Sequence, residues 1–192
     1  MTGYALIIVD MVKGNVDTHG TGMMDIEARE MIPVLLDLTR AFRRNGAKVI
    51  YACDSFIDGD FIFQSRMSPH SLRGTGGDQP LDELDVQQTD VILPKRRFSA
   101  FYKTDLDQTL RTWGVHTVVI AGITTQVCVL MTALDAVQND FRAVIVSDAC
   151  TCHKQSIHES VLMIYGNTPM VPLLRTLSKS EVIEELRASG AT

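Results

Sequence analysis

The sequence predicts an α/β fold, a three-layer αβα sandwich around a mainly parallel, doubly wound sheet of about six strands. Five short apolar runs rich in β-branched residues recur along the chain, and segments with helical spacing separate them. Runs that are apolar at every position suit strands buried on both faces, which is the situation in a parallel sheet. Because the two patterns alternate throughout 192 residues, residues 1–192 are expected to form a single domain.

The five apolar runs are the predicted strands. They cover residues 4–10, 47–54, 90–94, 116–122 and 142–148. A sixth, weaker strand is predicted at 167–172, although Pro169 interrupts it. The first two runs, "YALIIVD" and "AKVIYACD", both end in an aspartate. Since the carboxyl ends of parallel strands meet at one edge of the sheet, that edge is where polar side chains are expected to gather.

The helices are predicted from apolar stripes that repeat every three or four residues. The stripes begin near Ile32, Leu106, Val127 and Ile157, and glycines that suit helix ends follow three of them, at Gly46, Gly114 and Gly166. Ser178 and Glu181 have the spacing of a capping box before a short final helix. Residues 55–88 show no clear period, so we expect a long loop there with short helical pieces.

Composition and charge point to a small-molecule partner. The net charge of −5 argues against nucleic acid or an anionic membrane surface as a partner. No apolar run approaches the roughly 18 residues that span a bilayer, and no signal peptide is visible. The four cysteines are too few and too irregularly spaced for a disulfide framework. A cytoplasmic protein with reduced thiols is the resulting expectation.

Three residues with reactive side chains fall at predicted strand ends. Asp10 ends the first run, Lys95 follows the run at 90–94, and Cys128 lies a few residues past the run at 116–122. Cys128 also falls near a predicted helix start, whose dipole favours a thiolate. Each residue has a plain alternative, because Asp10 could cap a turn, Lys95 could be a solvated charge and Cys128 could be core. Their joint placement at one sheet edge favours a catalytic site.

Three motifs in this order resemble a known family. "ALIIVDM" carries Asp10, "KRRFSAFYKTDLDQTL" begins at Lys95, and "AGITTQVCVLMTALDA" carries Thr125 and Cys128. Between about residues 4 and 172 the chain resembles the isochorismatase-like cysteine hydrolases. That superfamily includes nicotinamidases, N-carbamoylsarcosine amidases and ureidoacrylate amidohydrolases.

The resemblance implies a cysteine amidohydrolase that cleaves a C–N bond of a small carboxamide or ureido compound through a thioester, releasing ammonia or an amine. Cys128 would be the nucleophile, Asp10 its general base, and Lys95 the cation that keeps Asp10 ionised. Backbone N–H groups of Thr124 and Cys128 would form the oxyanion hole, next to a cis peptide bond between Ile123 and Thr124. The resemblance also suggests a homo-oligomer.

The metal site of the nicotinamidases is incomplete in this sequence. Their pattern is an aspartate, a histidine two residues later and a second histidine downstream. Here Asp54 is present, Phe56 replaces the first histidine, and His70 occupies the downstream position. Two ligands of three make a poor site, so neither a metal nor another cofactor is expected. Asp54 and His70 are expected to hydrogen-bond each other or the substrate.

The specificity loops depart most from the family pattern. Asp54, Phe56, His70, Phe98 and Tyr102 are tentative substrate contacts, and Phe61 and Phe63 are further candidates for the pocket wall. Packing beneath the long loop explains the aromatic residues equally well. Arg96 or Arg97 could meet a substrate carboxylate, because a planar guanidinium binds one in a bidentate manner.

Other functions remain open at this stage. One is the vinyl-ether hydrolysis of isochorismatases, against which Cys128 counts because that chemistry does not need a thiol. Another is a non-catalytic relative that binds a ligand or senses oxidants through its thiols. Cys150, Cys152 and His153 could hold zinc, but their spacing is unusual and a mixed loop after a strand is the simpler interpretation.

Overall fold

The structure, a computed structural model, describes residues 3–16 and 23–189. Its six strands are β1 (Tyr4–Val9), β2 (Lys48–Asp54), β3 (Val91–Lys95), β4 (Thr117–Ile123), β5 (Arg142–Thr151) and β6 (Leu174–Leu177). They form one sheet in the order β3-β2-β1-β4-β5-β6, and every pair is parallel. The chain therefore winds outward first in one direction from β1 and then in the other, which confirms the predicted doubly wound sheet.

Helices cover both faces of this sheet. They are α1 (Lys13–Val16), α2 (Met23–Glu30), α3 (Ile32–Arg44), α4 (Leu106–Thr112), α5 (Leu130–Gln138), α6 (Gln155–Gly166) and α7 (Lys179–Ser189). Two 3₁₀ turns, Phe61–Gln64 and Asp82–Leu84, lie in the long loop after β2, and one π-helical turn, Thr125–Val129, directly precedes α5. None of the helices in residues 3–16 and 23–189 is long and apolar enough to cross a membrane.

Successive side chains of β1 point to opposite faces of the sheet and contribute to two hydrophobic cores. Leu6 and Ile8 pack on one face, in a core that also receives the buried sides of α2, α3 and α7. Ala5, Ile7 and Val9 pack on the other face with α4, α5 and α6. Because both faces of β1 are covered, all of its residues after Tyr4 are buried, which explains why the strand reads as a continuous apolar run.

The predicted helix boundaries agree with the structure where glycine or a capping box marks them. Gly46 and Gly114 follow α3 and α4 with φ angles of +68° and +66°, the left-handed conformation that suits glycine after a helix. At the start of α7 the Ser178 N–H donates to the Glu181 carboxylate at 2.7 Å. The Glu181 N–H donates in return to the Ser178 hydroxyl at 3.4 Å, which completes the capping box.

The sixth strand was predicted in the wrong place. Residues 167–172 form turns, and the edge strand is β6 at Leu174–Leu177. Pro169 and Pro172 have no N–H to donate to a ladder, so the segment between them cannot pair as a strand. The true strand escaped detection because it lies at the sheet edge, is only partly buried and contains Arg175 and Thr176.

Strand β5 is longer than its predicted end at residue 148. It continues to Thr151 and carries Cys150 in the ladder, where Cys150 pairs with Gly122 of β4. The register between β4 and β5 shifts between Ile120 and Gly122, so a bulge accommodates the polar residues within β5. The mixed sequence at 148–151 was therefore strand and not the expected loop.

Candidate active site

Four strand ends supply the reactive side chains of the site. Asp10 follows β1 directly, Asp54 is the last residue of β2, and Lys95 is the last residue of β3. Cys128 lies in the π-helical turn after β4. The strand order reverses between β1 and β4, and such a reversal opens a crevice outside the carboxyl ends of the strands. The structure thus brings Asp10, Lys95 and Cys128 together at the sheet edge where the sequence predicted them.

Asp10 connects these strand ends. Its backbone has a φ of +57°, a left-handed conformation that aspartate tolerates better than most residues. One carboxylate oxygen accepts the Asp54 N–H at 2.9 Å, and the other lies 2.8 Å from Lys95 Nζ. Asp10 is only 1% exposed, so these contacts and not water hold its carboxylate in place.

Lys95 is a buried ammonium with three acceptors. Its Nζ lies 2.8 Å from Asp10 Oδ2, 2.6 Å from Asp54 Oδ1 and 3.1 Å from the carbonyl oxygen of Arg97. Burial works against the charge, but the negative groups around it, Asp10 foremost, raise the pKa of Lys95 above its usual value. Lys95 is therefore a permanent cation that makes two hydrogen bonds and an ion pair with Asp10.

The Asp10 carboxyl group has a strongly shifted proton affinity. Burial, followed by the negative charge of Asp54, raises the pKa of Asp10 to about 7. Lys95 and a hydrogen bond from the Cys128 thiol act in the opposite direction. A group with this pKa can both accept and return a proton near neutral pH, which is the property of a general acid–base catalyst.

The Cys128 thiol is protonated at rest. Cys128 is 8% exposed, and its sulfur lies within 4.8 Å of oxygen atoms of both Asp10 and Asp54. Burial and then the charge of Asp10 raise the pKa of the Cys128 thiol well above its usual value. Desolvation and the neighbouring carboxylate outweigh Lys95 and the helix start, so the thiol needs a base to take its proton, which is the role expected of Asp10 from the sequence.

The turn that carries Cys128 depends on close backbone packing. Gly122 has a φ of +112°, and a Cβ at this position would lie 2.1 Å from the carbonyl oxygen of Val9. Only glycine therefore fits at this point, where the end of β4 lies against β1 just before the turn. The peptide bond between Ile123 and Thr124 is cis, as the family resemblance implied.

Three polar residues around the site carried no clear sequence signal. The Asn15 amide donates to the Asp10 carbonyl oxygen at 3.2 Å and to Asp54 Oδ2 at 3.4 Å, and the Ser71 hydroxyl donates to Asn15 Oδ1 at 2.8 Å. Behind the turn, the buried His158 pairs through Nδ1 with the Thr125 hydroxyl at 2.9 Å. Apart from the contact between Asn15 and Asp10, these partners lie 33 to 56 residues apart in the chain, so only tertiary structure reveals them.

The reactive groups open into a pocket of about 490 Å³. Its lining consists of Asp10, Gly14, Asn15, Asp54, Met67, Ser68, Pro69, His70, Phe98, Ile123, Thr124, Val127 and Cys128. Of the tentative substrate contacts, Asp54, His70 and Phe98 belong to this lining. The two residues expected to form the oxyanion hole, Thr124 and Cys128, also belong to it.

Phe56 and Tyr102, the other two expected substrate contacts, are not part of this pocket's lining. Phe56 is fully buried, and its ring packs edge-on against Phe63 and His70 with centroids 5.3 and 5.2 Å apart. Tyr102 is 49% exposed and lines separate surface cavities. Phe61 and Phe63 are likewise absent from the pocket wall, so packing beneath the long loop is the role of Phe56 and Phe63.

The site residues do not fit a metal ion. Within residues 3–16 and 23–189, Asp10, Asp54 and Cys128 form the only group of three suitable ligands, and Lys95 already contacts both carboxylates. A second cation there would face the ammonium at close range.

The two donors of the nicotinamidase-like site each have another partner in the structure. Asp54 contacts Lys95 and Asn15, while His70 Nδ1 lies 2.7 Å from the Ser68 carbonyl oxygen. These contacts do not join Asp54 to His70. Phe56 adds no ligand. Cys150, Cys152 and His153 form no ligand group in the part of the chain that is described.

A cysteine, a carboxylate and a lysine thus gather at the carboxyl edge of a doubly wound parallel sheet, in an α/β protein of three-layer architecture. Residues 4–166 match the family described as Isochorismatase domain, and the chain belongs to that family. It is a hydrolase by that membership.

Named relatives of this chain act on several different small amides. The ureidoacrylate amidohydrolase RutB of Pantoea ananatis is 44% identical over 169 residues, which cover 76% of this chain and 68% of the relative. The structure of N-carbamoylsarcosine amidase from Thermoplasma acidophilum superposes with a TM-score of 0.78 and 30% identity, covering 92% of this chain and 96% of the other. The structure of nicotinamidase PncA from Bacillus subtilis superposes with a TM-score of 0.79 and 28% identity. The match covers 92% of this chain and 99% of the other.

Proposed function

We propose that this protein is a cysteine-dependent amidohydrolase that cleaves a C–N bond of a small carboxamide or ureido compound. The observation that carries the proposal is the pairing of the Cys128 thiol with Asp10, whose pKa of about 7 lets it take the thiol proton near neutral pH. Both groups line one pocket of suitable size for a small molecule. The amidase names of the relatives agree with this chemistry.

The first half-reaction forms a thioester. Asp10 takes the proton as Cys128 sulfur bonds to the carbonyl carbon, and the carbonyl oxygen becomes an oxyanion. Backbone N–H groups of Thr124 and Cys128 stabilise that charge. Asp10 then returns the proton to the nitrogen, the C–N bond breaks, and ammonia or an amine leaves while the acyl group remains on sulfur.

The second half-reaction releases the acid. Asp10 removes a proton from water, whose oxygen bonds to the thioester carbon, and the C–S bond breaks. The proton on Asp10 returns to the departing sulfur, so the thiol is restored. Lys95 is a positioning residue in both halves, because it fixes the Asp10 carboxylate without touching the reacting atoms.

The test is ammonia or amine release from a panel of nicotinamide, N-carbamoyl amino acids, ureidoacrylate and maleamate. Cys128→Ser should keep the fold and lose kcat by at least about 10³-fold, since a hydroxyl is far less acidic than a thiol. Asp10→Asn should fail at the same step. Mass spectrometry of wild-type protein quenched during turnover should show an acyl adduct on the peptide with Cys128.

Two outcomes would overturn the proposal. Full activity in Cys128→Ser would exclude the nucleophile role. No turnover of any amide, together with reversible sulfenic acid at Cys128, would favour an oxidant sensor.

A further inference from the structure

The pocket combines an apolar wall with acidic groups at its base. Met67, Pro69, Phe98 and Val127 supply the wall, and the carboxylates of Asp10 and Asp54 lie at the base next to Cys128. Among the residues that the structure describes, no lysine or arginine belongs to the lining. The other polar residues of the lining are Asn15, Ser68, His70 and Thr124, so a substrate held with its carbonyl carbon near Cys128 meets these groups and the apolar wall but no lysine or arginine.

Lys95, the cation that contacts the carboxylates at the pocket base, is already bound to groups of the protein. Lys95 donates hydrogen bonds to Asp54 and to the carbonyl oxygen of Arg97 and forms an ion pair with Asp10, so its charge is already matched by groups of the protein. It also lies beneath the two carboxylates and is 1% exposed.

The nearby arginines, which the sequence offered as carboxylate partners, are held by one buried acid. Arg96 contacts Asp60 Oδ2 through Nε and Nη2 at 3.1 and 3.0 Å, and Arg97 Nη1 contacts Asp60 Oδ1 at 3.1 Å. Arg73 donates from Nε to the Ser55 hydroxyl at 3.1 Å. The lining of the pocket contains none of these three arginines.

The electrostatic balance of the site follows from these contacts. Asp10 and Asp54 bring two negative charges when Asp10 is ionised and able to act as a base, and Lys95 brings one positive charge. These three side chains then carry a net negative charge. A carboxylate on the substrate would lose its water without gaining a cation, and it would face like charge.

We propose that this pocket selects amides whose acyl group is uncharged and apolar, and that it discriminates against amides that carry a free carboxylate. The inference rests on the proposed amidohydrolase function and narrows its substrate class. It separates this chain from a relative such as N-carbamoylsarcosine amidase, whose named substrate carries a carboxylate.

A pair of substrates with the same shape tests the selection. The nitro group of 3-nitrobenzamide has the shape of the carboxylate in 3-carboxybenzamide but no net charge. At pH 7.5, kcat/KM for ammonia release should be at least about 100-fold higher for the nitro compound, because an unpaired charge facing like charge is strongly disfavoured. Equal rates, or faster hydrolysis of the carboxylate, would overturn the inference while leaving the amidohydrolase function intact.

A supplied cation should reverse the preference. Met67→Arg places a guanidinium on the pocket wall and should raise kcat/KM for 3-carboxybenzamide relative to 3-nitrobenzamide by at least about 10-fold. Met67→Gln is the matched control, since it changes the side chain without adding charge and should leave that ratio near the wild-type value. The same shift in both variants would show that shape and not charge sets the preference.

A binding measurement keeps the inference testable if no benzamide is turned over. Calorimetry with Cys128→Ser should give tighter binding of 3-nitrobenzamide than of 3-carboxybenzamide, and Met67→Arg added to this variant should reverse the order. If ammonia is never released from any amide but this binding order holds, the proposed function fails and the pocket's selection stands. Equal binding of the two compounds contradicts the selection directly.

Discussion

Asp54 shows how one residue can hold two roles that the sequence cannot separate. Its position after β2 resembles a metal ligand, yet its carboxylate lies 2.6 Å from Lys95 Nζ and its N–H binds Asp10. The ammonium occupies the place where an added cation would have to bind. Asp54 is therefore a positioning residue. Its N–H holds the Asp10 carboxylate, and its negative charge raises the pKa of Asp10.

The pH dependence of activity tests this role. Activity should rise as Asp10 loses its proton, with a midpoint near pH 7, because the pKa of Asp10 is raised to about 7 by burial and then by Asp54. Asp54→Asn removes a negative charge, so the pKa of Asp10 should fall and the midpoint of the kcat/KM profile should move about one unit to lower pH. Stopped assays across the pH range provide the measurement.

A control variant separates this effect from a general change in charge. Asp140→Asn removes the same charge from an exposed position with a φ of +64°, which asparagine also tolerates. Its profile should match that of the wild type. A midpoint in Asp54→Asn that stays in place or rises would show that Asp54 does not tune Asp10.

At the scale of elements, the pairing of the neighbouring strands β1 and β4 sets the geometry of the site. Asp10 leaves β1 and the Cys128 turn leaves β4 at the same level, since Val9 pairs with Gly122 in the register of the two strands. Any side chain at Gly122 would push these two strands apart. The active-site geometry is thus linked to the packing of a single glycine.

Gly122→Ala should lower the free energy of unfolding by about 3 kcal/mol or more, because it combines a disfavoured φ with overpacking against backbone. The matched control is Gly46→Ala, which has a positive φ of +68° but no atom within 4 Å of the added Cβ. Gly46→Ala should lower the free energy of unfolding by only about 1 kcal/mol. Urea unfolding of both variants measures the difference, and similar losses in the two would show that the close approach to Val9 is unimportant.

Residues 55–88 illustrate how a loop without periodicity contributes to the site. The loop pairs with the chain near the first strand, since the Gly14 N–H donates to the Gly77 carbonyl oxygen and Lys13 N–H to that of Gln79. A Cβ on Gly14 would lie 2.6 Å from the Ser71 hydroxyl oxygen. This close contact brings the 67–70 segment over the pocket, where it supplies the outer wall.

At the scale of the whole molecule, the fold packs the residues of the site so that they do not suit a metal ion. Lys95 neutralises one carboxylate charge from within the protein, and Phe56 packs where the related pattern has a ligand. The absence of a cofactor remains a prediction, as does the homo-oligomer. Measurements on the purified protein in solution test both predictions.

Metal analysis and chelation test the first of these. Purified protein should contain well under one equivalent of zinc, iron or manganese, and activity should survive extended treatment with a chelator, because the donors are too few and already paired. Elemental analysis before and after dialysis gives the content. Stoichiometric metal that is lost together with activity would mean that Asp54 and His70 rearrange to bind it.

The order of elements and the identity of the central reactive residues could be read from the sequence, for a physical reason. Strands covered on both faces must be apolar throughout, so β1, β2 and β4 left a clear pattern, and Asp10 stood out at the end of the first of them. Helix ends that need glycine or a capping box were also visible. These signals are local, because each depends on residues that are close in the chain.

What only the tertiary structure decided depends on contacts between distant residues. The half-exposed edge strand β6 has no apolar run, so its place depended on pairing with β5. The engagement of Arg96 and Arg97 by Asp60 is equally invisible in the sequence. So is the protonated state of Cys128, which depends on burial and on the charge of a residue 118 positions away, Asp10. Sequence patterns indicate which groups can react, whereas their charge, partners and access depend on what the fold packs around them.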